Sequence, residues 1–379
     1  MKNIGIYIHI PFCKRKCFYC DFCSFETNAN LYKEYVDCLI EEIKNCNVNN
    51  KEVLIKTIYI GGGTPSIIDE KYIELIISAL KDKFNFDKKC EMTIEVNPGT
   101  ANIDKLKKYK EIGINRLSIG LQTTNDRLLN LIGRIHNFNE FENVYDIARS
   151  VGFKNVNVDL MIGLPTQTID DVVESLDKII KKNPEHISVY SLILEEGTKL
   201  EKMVKNRKID VLEDELERDM YWTVKRTLKQ NGYNHYEISN FAKSGFESKH
   251  NTDCWKQHEY LGFGLSAHSY FNDIRYSNIC DISKYISNIK NKDFEKNVEI
   301  NEIQDIKSKE NEFIILGLRM LKGVNIDSFY KIFNENPTKM YAKQIEKLTN
   351  QGLIKIENGN IKLTDKGIDF ANIVWSEFI

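Results

Sequence analysis

A chain of 379 residues, 42% hydrophobic and 28% charged, has the make-up of a soluble globular protein with room for two or three domains. Its net charge of −2 argues against a nucleic-acid or acidic-membrane partner acting over the whole surface. No run approaches the roughly 18 apolar residues of a membrane-spanning helix, and MKNIGIYIHIPFC lacks the h-region and cleavage site of a signal peptide. A cytoplasmic protein is expected, in which nine cysteines point to metal or redox chemistry rather than a disulfide framework.

From residue 4 onward, short apolar runs alternate with stretches of helical periodicity. IGIYIHI (4–10), TIYIGGG (57–63), MTIEVNP (92–98), RLSIGLQ (116–122), VNVDLMIGLP (156–165) and ISVYSLIL (187–194) read as strands. Between them, LYKEYVDCLIEEI, YIELIISALKDKF and DVVESLDKIIKK place apolar residues three and four apart, as amphipathic helices do. The alternation predicts parallel strands joined by right-handed crossovers. Six units without a dinucleotide G-x-G-x-x-G predict an α/β fold, a partial (β/α)6 TIM-type barrel over residues 1–235. Glycines and polar residues recur at the strand ends: Gly61, Gly62, Gly63, Thr64, Glu95, Gln122 and Asp159. The C-terminal rim of such a barrel is where ligands sit.

Residues 236–299 read as a connecting segment, and NIKNKDFEKNVEINEIQDIKSKE as a polar linker. Beyond it, KSKENEFIILGLRM, IDSFYKIFN and MYAKQIEKLTNQG read as three helices, and IKIENGNIKLTDKG as a hairpin turning at Asn358-Gly359. Together they outline a winged-helix-like α+β module over residues 300–379.

Near the start, HIPFCKRKCFYCDFCSF sets Cys13, Cys17, Cys20 and Cys23 in one loop. A structural zinc site usually draws on two ligand pairs a dozen or more residues apart, and no second pair follows. A ferredoxin-like run through Cys17, Cys20 and Cys23 would need a nearby fourth cysteine before proline. A third reading takes Cys13, Cys17 and Cys20 as C-x3-C-x2-C, three thiolates for a 4Fe-4S cluster with one iron left open.

This spacing, with Tyr19 before the last cysteine, resembles the signature of the radical S-adenosylmethionine (AdoMet) family. YIHIPFC, IGGGTPS, IEVNPG, RLSIGLQ, IGRIH, VDLMIGLPTQT, HNTDCW and LGFGLSAHS resemble, within it, the branch of oxygen-independent coproporphyrinogen III dehydrogenases and heme chaperones. The resemblance implies that Cys13, Cys17 and Cys20 ligate the cluster and that AdoMet chelates the open iron, to be cleaved by one electron to a 5′-deoxyadenosyl radical. It implies that Tyr7 contacts AdoMet and that Gly62, Gly63 and Thr64 lie against its methionine portion. Glu95 and Arg134 would take its amino and carboxylate ends, Gln122 and Asp159 the ribose hydroxyls, and Tyr19 would flank the adenine. The dehydrogenases resemble C-x3-C-x2-C-x-C, whereas here Asp21-Phe22 precede Cys23, which is expected to be a spare thiol. Cys38, Cys46, Cys90 and Cys280 are expected to be small core or surface residues.

Two features separate the branches. The dehydrogenases carry an extension before their cysteine motif, and here twelve residues precede Cys13. His250-Asn251-x-x-Cys254-Trp255 resembles the H-N-x-x-Y-W box of the chaperones, associated with heme binding, with Cys254 in place of tyrosine. The resemblance therefore implies a heme chaperone that delivers heme to acceptors such as respiratory enzymes and draws on a one-electron donor such as flavodoxin or ferredoxin. His250, Cys254 and His268 are the expected heme ligands, with Trp255 and Phe263 as walls. The alternative is a dehydrogenase of porphyrin biosynthesis, and whether the protein acts as an enzyme stays open. A third reading, a winged-helix DNA-binding redox regulator, meets only mixed charge in MYAKQIEKLTNQG, so no nucleic-acid partner is expected. The terminal module is expected to close over the barrel or support a homodimer, and any membrane contact to be transient.

Overall fold

The structure, a computed structural model, describes residues 1–26 and 30–379. Six strands follow one another in parallel: β1 (Lys2–Ile10), β2 (Val53–Gly62), β3 (Asn85–Val96), β4 (Arg116–Gln122), β5 (Val156–Ile162) and β6 (His186–Ser191). They are the six runs expected from the sequence. Six more strands extend the sheet: β7 (Asn234–Glu237), β8 (Asn240–Ala242), β9 (Tyr260–Phe263), β10 (His268–Phe271), β11 (Ile274–Asn278) and β12 (Val298–Ile303). The spatial order is β12-β11-β10-β9-β1-β2-β3-β4-β5-β6-β8-β7. The sheet is therefore an open, partial barrel. β9 adds in parallel to the free side of β1, and the outer strands on both sides pair antiparallel.

The crossover helices are α1 (Asn30–Asn45), α2 (Glu70–Lys83), α3 (Ile103–Ile112), α4 (Asp126–Leu131), α5 (Phe138–Val151) and α6 (Ile169–Lys182). Local signals set their ends. Asn137 with Glu140, and Thr168 with Asp171, form capping boxes at the starts of α5 and α6. Gly152 and Asn183 end them in the left-handed conformation. The apolar stripes of α1 and α2 bury Tyr35, Val36, Leu39, Ile73, Ile76 and Ile77 in one core with Ile4, Ile6, Ile8 and Ile10 of β1. Each fully buried isoleucine contributes roughly 1.5–3 kcal/mol. The alternate residues of β1, Gly5, Tyr7 and His9, turn to the other face and help build the barrel interior.

The stretch read as connector and linker differs from expectation. Residues 240–303 supply five strands of the main sheet, and the supposed linker contains its edge strand, β12. All six residues of β12 are exposed, so it carries no buried apolar face for the sequence pattern to reveal. α7 (Lys199–Lys205), α8 (Asp214–Gln230), α9 (Lys249–Trp255) and α10 (Ile282–Lys290) complete the barrel region.

The C-terminal module has its own core around Ile314, Phe329, Tyr341, Leu348 and Ile361. It runs α11 (Ile306–Gly317), β13 (Val324–Asn325), α12 (Ile326–Phe333), α13 (Pro337–Met340) and α14 (Ala342–Asn350), then the hairpin β14 (Ile354–Glu357) and β15 (Asn360–Leu363). Asn358 and Gly359 both take positive φ, 52° and 72°, as a two-residue hairpin turn of this hand demands. No helix among the described residues is long and apolar enough to cross a membrane.

Candidate functional site

The C-terminal ends of β2 to β6 and the cysteine loop after β1 enclose a cavity of about 380 Å³ at the barrel mouth. Cys13, Cys17 and Cys20 line it together with Tyr19, Gly62, Gly63, Thr64, Glu95, Gln122, Arg134 and Asp159. Cys13 and Asp159, 146 positions apart in sequence, thus line the same cavity. Tyr7 stands behind it. Its hydroxyl meets His9 Nδ1 at 2.9 Å and its ring stacks on Tyr59, which does line the cavity.

The glycines here are required by close approach. A Cβ on Gly63 would meet Phe12 O at 2.8 Å and Cys13 Sγ at 3.0 Å. Gly62 has φ +115°, and a Cβ there would lie 2.7 Å from the His9 ring. His9 in turn holds the cysteine loop, its Nε2 lying 2.9 Å from Cys23 O. Burial depresses this imidazole to about 4, so it is neutral at pH 7.

Arg134 gathers three elements. Its Nη2 donates to Gly120 O (2.6 Å) and Asn97 Oδ1 (2.8 Å), and its Nη1 lies 3.5 Å from Cys17 Sγ. Asn97 Nδ2 donates to Thr64 Oγ1 (2.8 Å), whose hydroxyl points at Cys13 Sγ (3.7 Å). One polar chain therefore runs from Cys17 to Cys13. Asn97 was missed by the sequence reading, although it lies in the IEVNPG stretch that supplied Glu95. Burial raises the Cys13 and Cys20 thiols above their ordinary range, so holding them as thiolates calls for a compensating cation.

Glu95 accepts from Tyr59 Oη (2.9 Å) and Gly62 N–H (3.2 Å). Burial, and then the nearby Asp159 charge, push its carboxyl up to about 7. Asp159 is raised too, chiefly by burial, although Asn157 Nδ2 (2.7 Å) and Ser118 Oγ (3.2 Å) donate to it. Gln122 sits at a register irregularity in β4 with φ +71°, and its buried Oε1 has no hydrogen-bond partner among the described residues. Two buried carboxyl groups and an orphaned acceptor fit a ligand that brings positive charge and hydroxyl donors. AdoMet, with its ammonium, sulfonium and ribose, has that chemistry, and three thiols at one end suit an iron–sulfur cluster.

Cys23 is not a spare thiol. It is joined to Cys280 in a disulfide, with Cα atoms 6.2 Å apart, so neither cysteine has the bland role expected of it. The pairing of β9 with β1 brings the segment after β11 alongside the cysteine loop, which the sequence separation of 257 conceals.

The three expected heme ligands do not converge. His250, on α9, is buried at the opposite end of the barrel. Its Nδ1 meets Thr57 Oγ1 at 2.9 Å, its ring packs on Tyr59 and Tyr260, and a Cβ on Gly5 would touch it. Cys254 is a half-buried thiol pushed up to about 12 by burial. His268 is exposed on β10. Glu91 accepts from the backbone N–H groups of Lys249 and His250 and seats α9 as the barrel floor.

Comparison with known proteins follows the same geometry. Residues 7–179 match the family described as the Radical SAM superfamily, and residues 309–370 match the HemN C-terminal domain. A heme chaperone HemW of Lactococcus lactis is 35% identical over 378 residues, covering 100% of this chain and 98% of that one. One from Bacillus subtilis is 36% identical over 377 residues, covering 98% of each. The chain belongs to the HemW family of radical SAM proteins. The solved coproporphyrinogen III oxidase HemN of Escherichia coli shares the fold, with a TM-score of 0.86 at 22% identity, covering 100% of this chain and 90% of that one. HemW relatives thus match both the barrel and the terminal module, and the HemN structure shares the fold of the two together along the whole chain.

Proposed function

We propose that the protein is a cytoplasmic heme chaperone that carries heme to acceptors such as respiratory enzymes, and that it works with a bound 4Fe-4S cluster and AdoMet. Cys13, Cys17 and Cys20 hold the cluster, which supplies an iron with an open position and an electron source for AdoMet. Glu95 takes the ammonium and Arg134 the carboxylate of AdoMet. Gly62, Gly63 and Thr64 border its methionine portion. Gln122 and Asp159 accept from the ribose hydroxyls, and Tyr19 covers the adenine. A flavodoxin- or ferredoxin-type donor supplies the electron.

The observation that carries this reading is the full-length likeness to heme chaperones in a chain whose mouth cavity is lined by the three cysteines together with Glu95 and Arg134. The test is anaerobic incubation of the cluster-loaded protein with heme and, separately, with coproporphyrinogen III, AdoMet and a reductant. Stoichiometric heme binding without decarboxylation is expected. Turnover of coproporphyrinogen III would make the protein a dehydrogenase instead.

A further inference from the structure

We propose that heme docks in the cleft between the floor helix α9 and the C-terminal module, with His258 as its axial ligand and Asp253 orienting that imidazole. The inference rests on the heme-chaperone reading above and assigns its cargo site.

The cleft has a volume of about 1500 Å³, above the roughly 300–1,000 Å³ of ordinary small-molecule pockets, so a broad flat macrocycle has room in it. Trp255 and Tyr270 line it from the barrel side; Phe313, Met320 and Phe333 line it from the module. Ile306 and Ile332 also face it, and they are 67% and 60% exposed, an apolar surface left open to solvent. Three lining residues carry buried polar atoms without a partner among the described residues: Trp255 Nε1, Thr252 Oγ1 and His235 Nδ1. Unsatisfied groups beside a cleft call for an explanation, and a bound ligand supplies one. At the rim, the exposed side chains of Lys256 and Lys322 offer cations to a ligand with carboxylate arms.

His258 supplies the ligand. Its Nδ1 lies 3.2 Å from Asp253 Oδ1, and its backbone N–H donates to Asp253 O at 2.9 Å. A ring whose Nδ1–H is held by a carboxylate presents the Nε2 lone pair, the arrangement typical of metal-bound histidines. The turn that presents it is fixed. Gln257 takes φ +58°, and its Nε2 donates to Glu312 Oε2 (2.7 Å) and Lys309 O (3.3 Å) on α11. His258 lines the cleft, whereas His250, Cys254 and His268 do not. His250 already spends Nδ1 on Thr57 and is only 7% exposed, so it braces the floor beneath the site.

The test uses the full-length, cluster-loaded protein titrated with hemin. Wild type should bind one heme with a histidine-type spectrum. His258→Ala should shift the Soret band and weaken binding about tenfold, with free imidazole restoring the spectrum. His258→Cys should give ferrous heme plus carbon monoxide the red-shifted band of thiolate hemes. Asp253→Asn should weaken binding by a similar factor while keeping the histidine-type spectrum. Lys256→Glu with Lys322→Glu should weaken heme more than its dimethyl ester, which lacks the carboxylates. An unchanged spectrum and affinity in both His258 variants would overturn this site while leaving the chaperone reading intact. Failure of wild type to bind heme at all would overturn both.

Discussion

Arg134 Nη1 lies 3.5 Å from Cys17 Sγ while its other terminal nitrogen holds Gly120 O and Asn97 Oδ1. One guanidinium thus fixes the cysteine loop, β4 and the turn after β3 relative to one another. Lysine would keep the charge but lose the fork. Arg134→Lys should therefore weaken AdoMet binding by roughly ten- to a hundredfold, as loss of a charge-assisted contact of about 1.5–3 kcal/mol predicts. Iron content should stay at the wild-type level. Unchanged affinity in calorimetry would show that Arg134 only braces the loop.

Asn97→Ala removes the link between Arg134 and Thr64 and leaves both buried groups short of a partner. A cost of about 1–3 kcal/mol is expected, read as a lower melting temperature and weaker AdoMet binding. Asn97→Asp should retain the contact to Arg134 and recover part of the affinity. Equal behaviour of the two variants would remove Asn97 from the polar chain.

The Glu95 carboxyl, at about 7 against an ordinary 4.5, makes the site sensitive to pH. Between those values the folded chain holds a proton that the unfolded chain has released. This group's contribution to stability therefore falls as pH rises through the window and levels off above 7. Binding of an ammonium group runs the other way, because it needs the ionised carboxylate. AdoMet affinity should rise as pH passes through 7, and Glu95→Gln should flatten that dependence. A pH-independent dissociation constant in wild type would count against the Glu95–ammonium contact.

The cysteines should divide into two groups. Cys13→Ala, Cys17→Ala and Cys20→Ala should each lose the reconstituted cluster absorbance. Cys23→Ser and Cys280→Ser should retain it and melt at lower temperature, by the equivalent of roughly 2–4 kcal/mol typical of a native disulfide. Reductant should lower the wild-type melting temperature and leave these two variants where they are. Cluster loss in Cys23→Ser would reassign that residue to the metal site.

The six parallel strands were legible because strands buried on both faces read as near-continuous apolar runs. Strand ends carrying Gly62, Glu95 and Asp159 were legible for the same reason, since a polar residue stands out against Ile and Val. β12 was not legible, because an exposed edge strand such as Val298–Ile303 has the polarity of a linker. Asn97 escaped notice because its meaning comes from three elements converging on it, and nothing local to VNPG announces them. The pairing of Cys23 with Cys280 and the cleft beside His258 depend on long-range docking that leaves no periodic trace. HNTDCW resembles a ligand box, yet its histidine faces the barrel floor, and a second imidazole eight residues further on, His258, lines the cleft.

β1 has β2 on one side and β9 on the other, with Gly5 paired to Tyr260 and Ile8 to Phe263. β1 therefore waits for residues translated much later before its second edge is covered. Until then Gly5–Ile8 offers unpaired backbone groups beside a row of isoleucines, an invitation to misassociation in the nascent chain. A message or chain cut short before Tyr260 would leave that edge bare permanently. The loop bearing Cys13, Cys17 and Cys20 hangs from this strand, so its final seating also depends on the late arrival of Tyr260–Phe263.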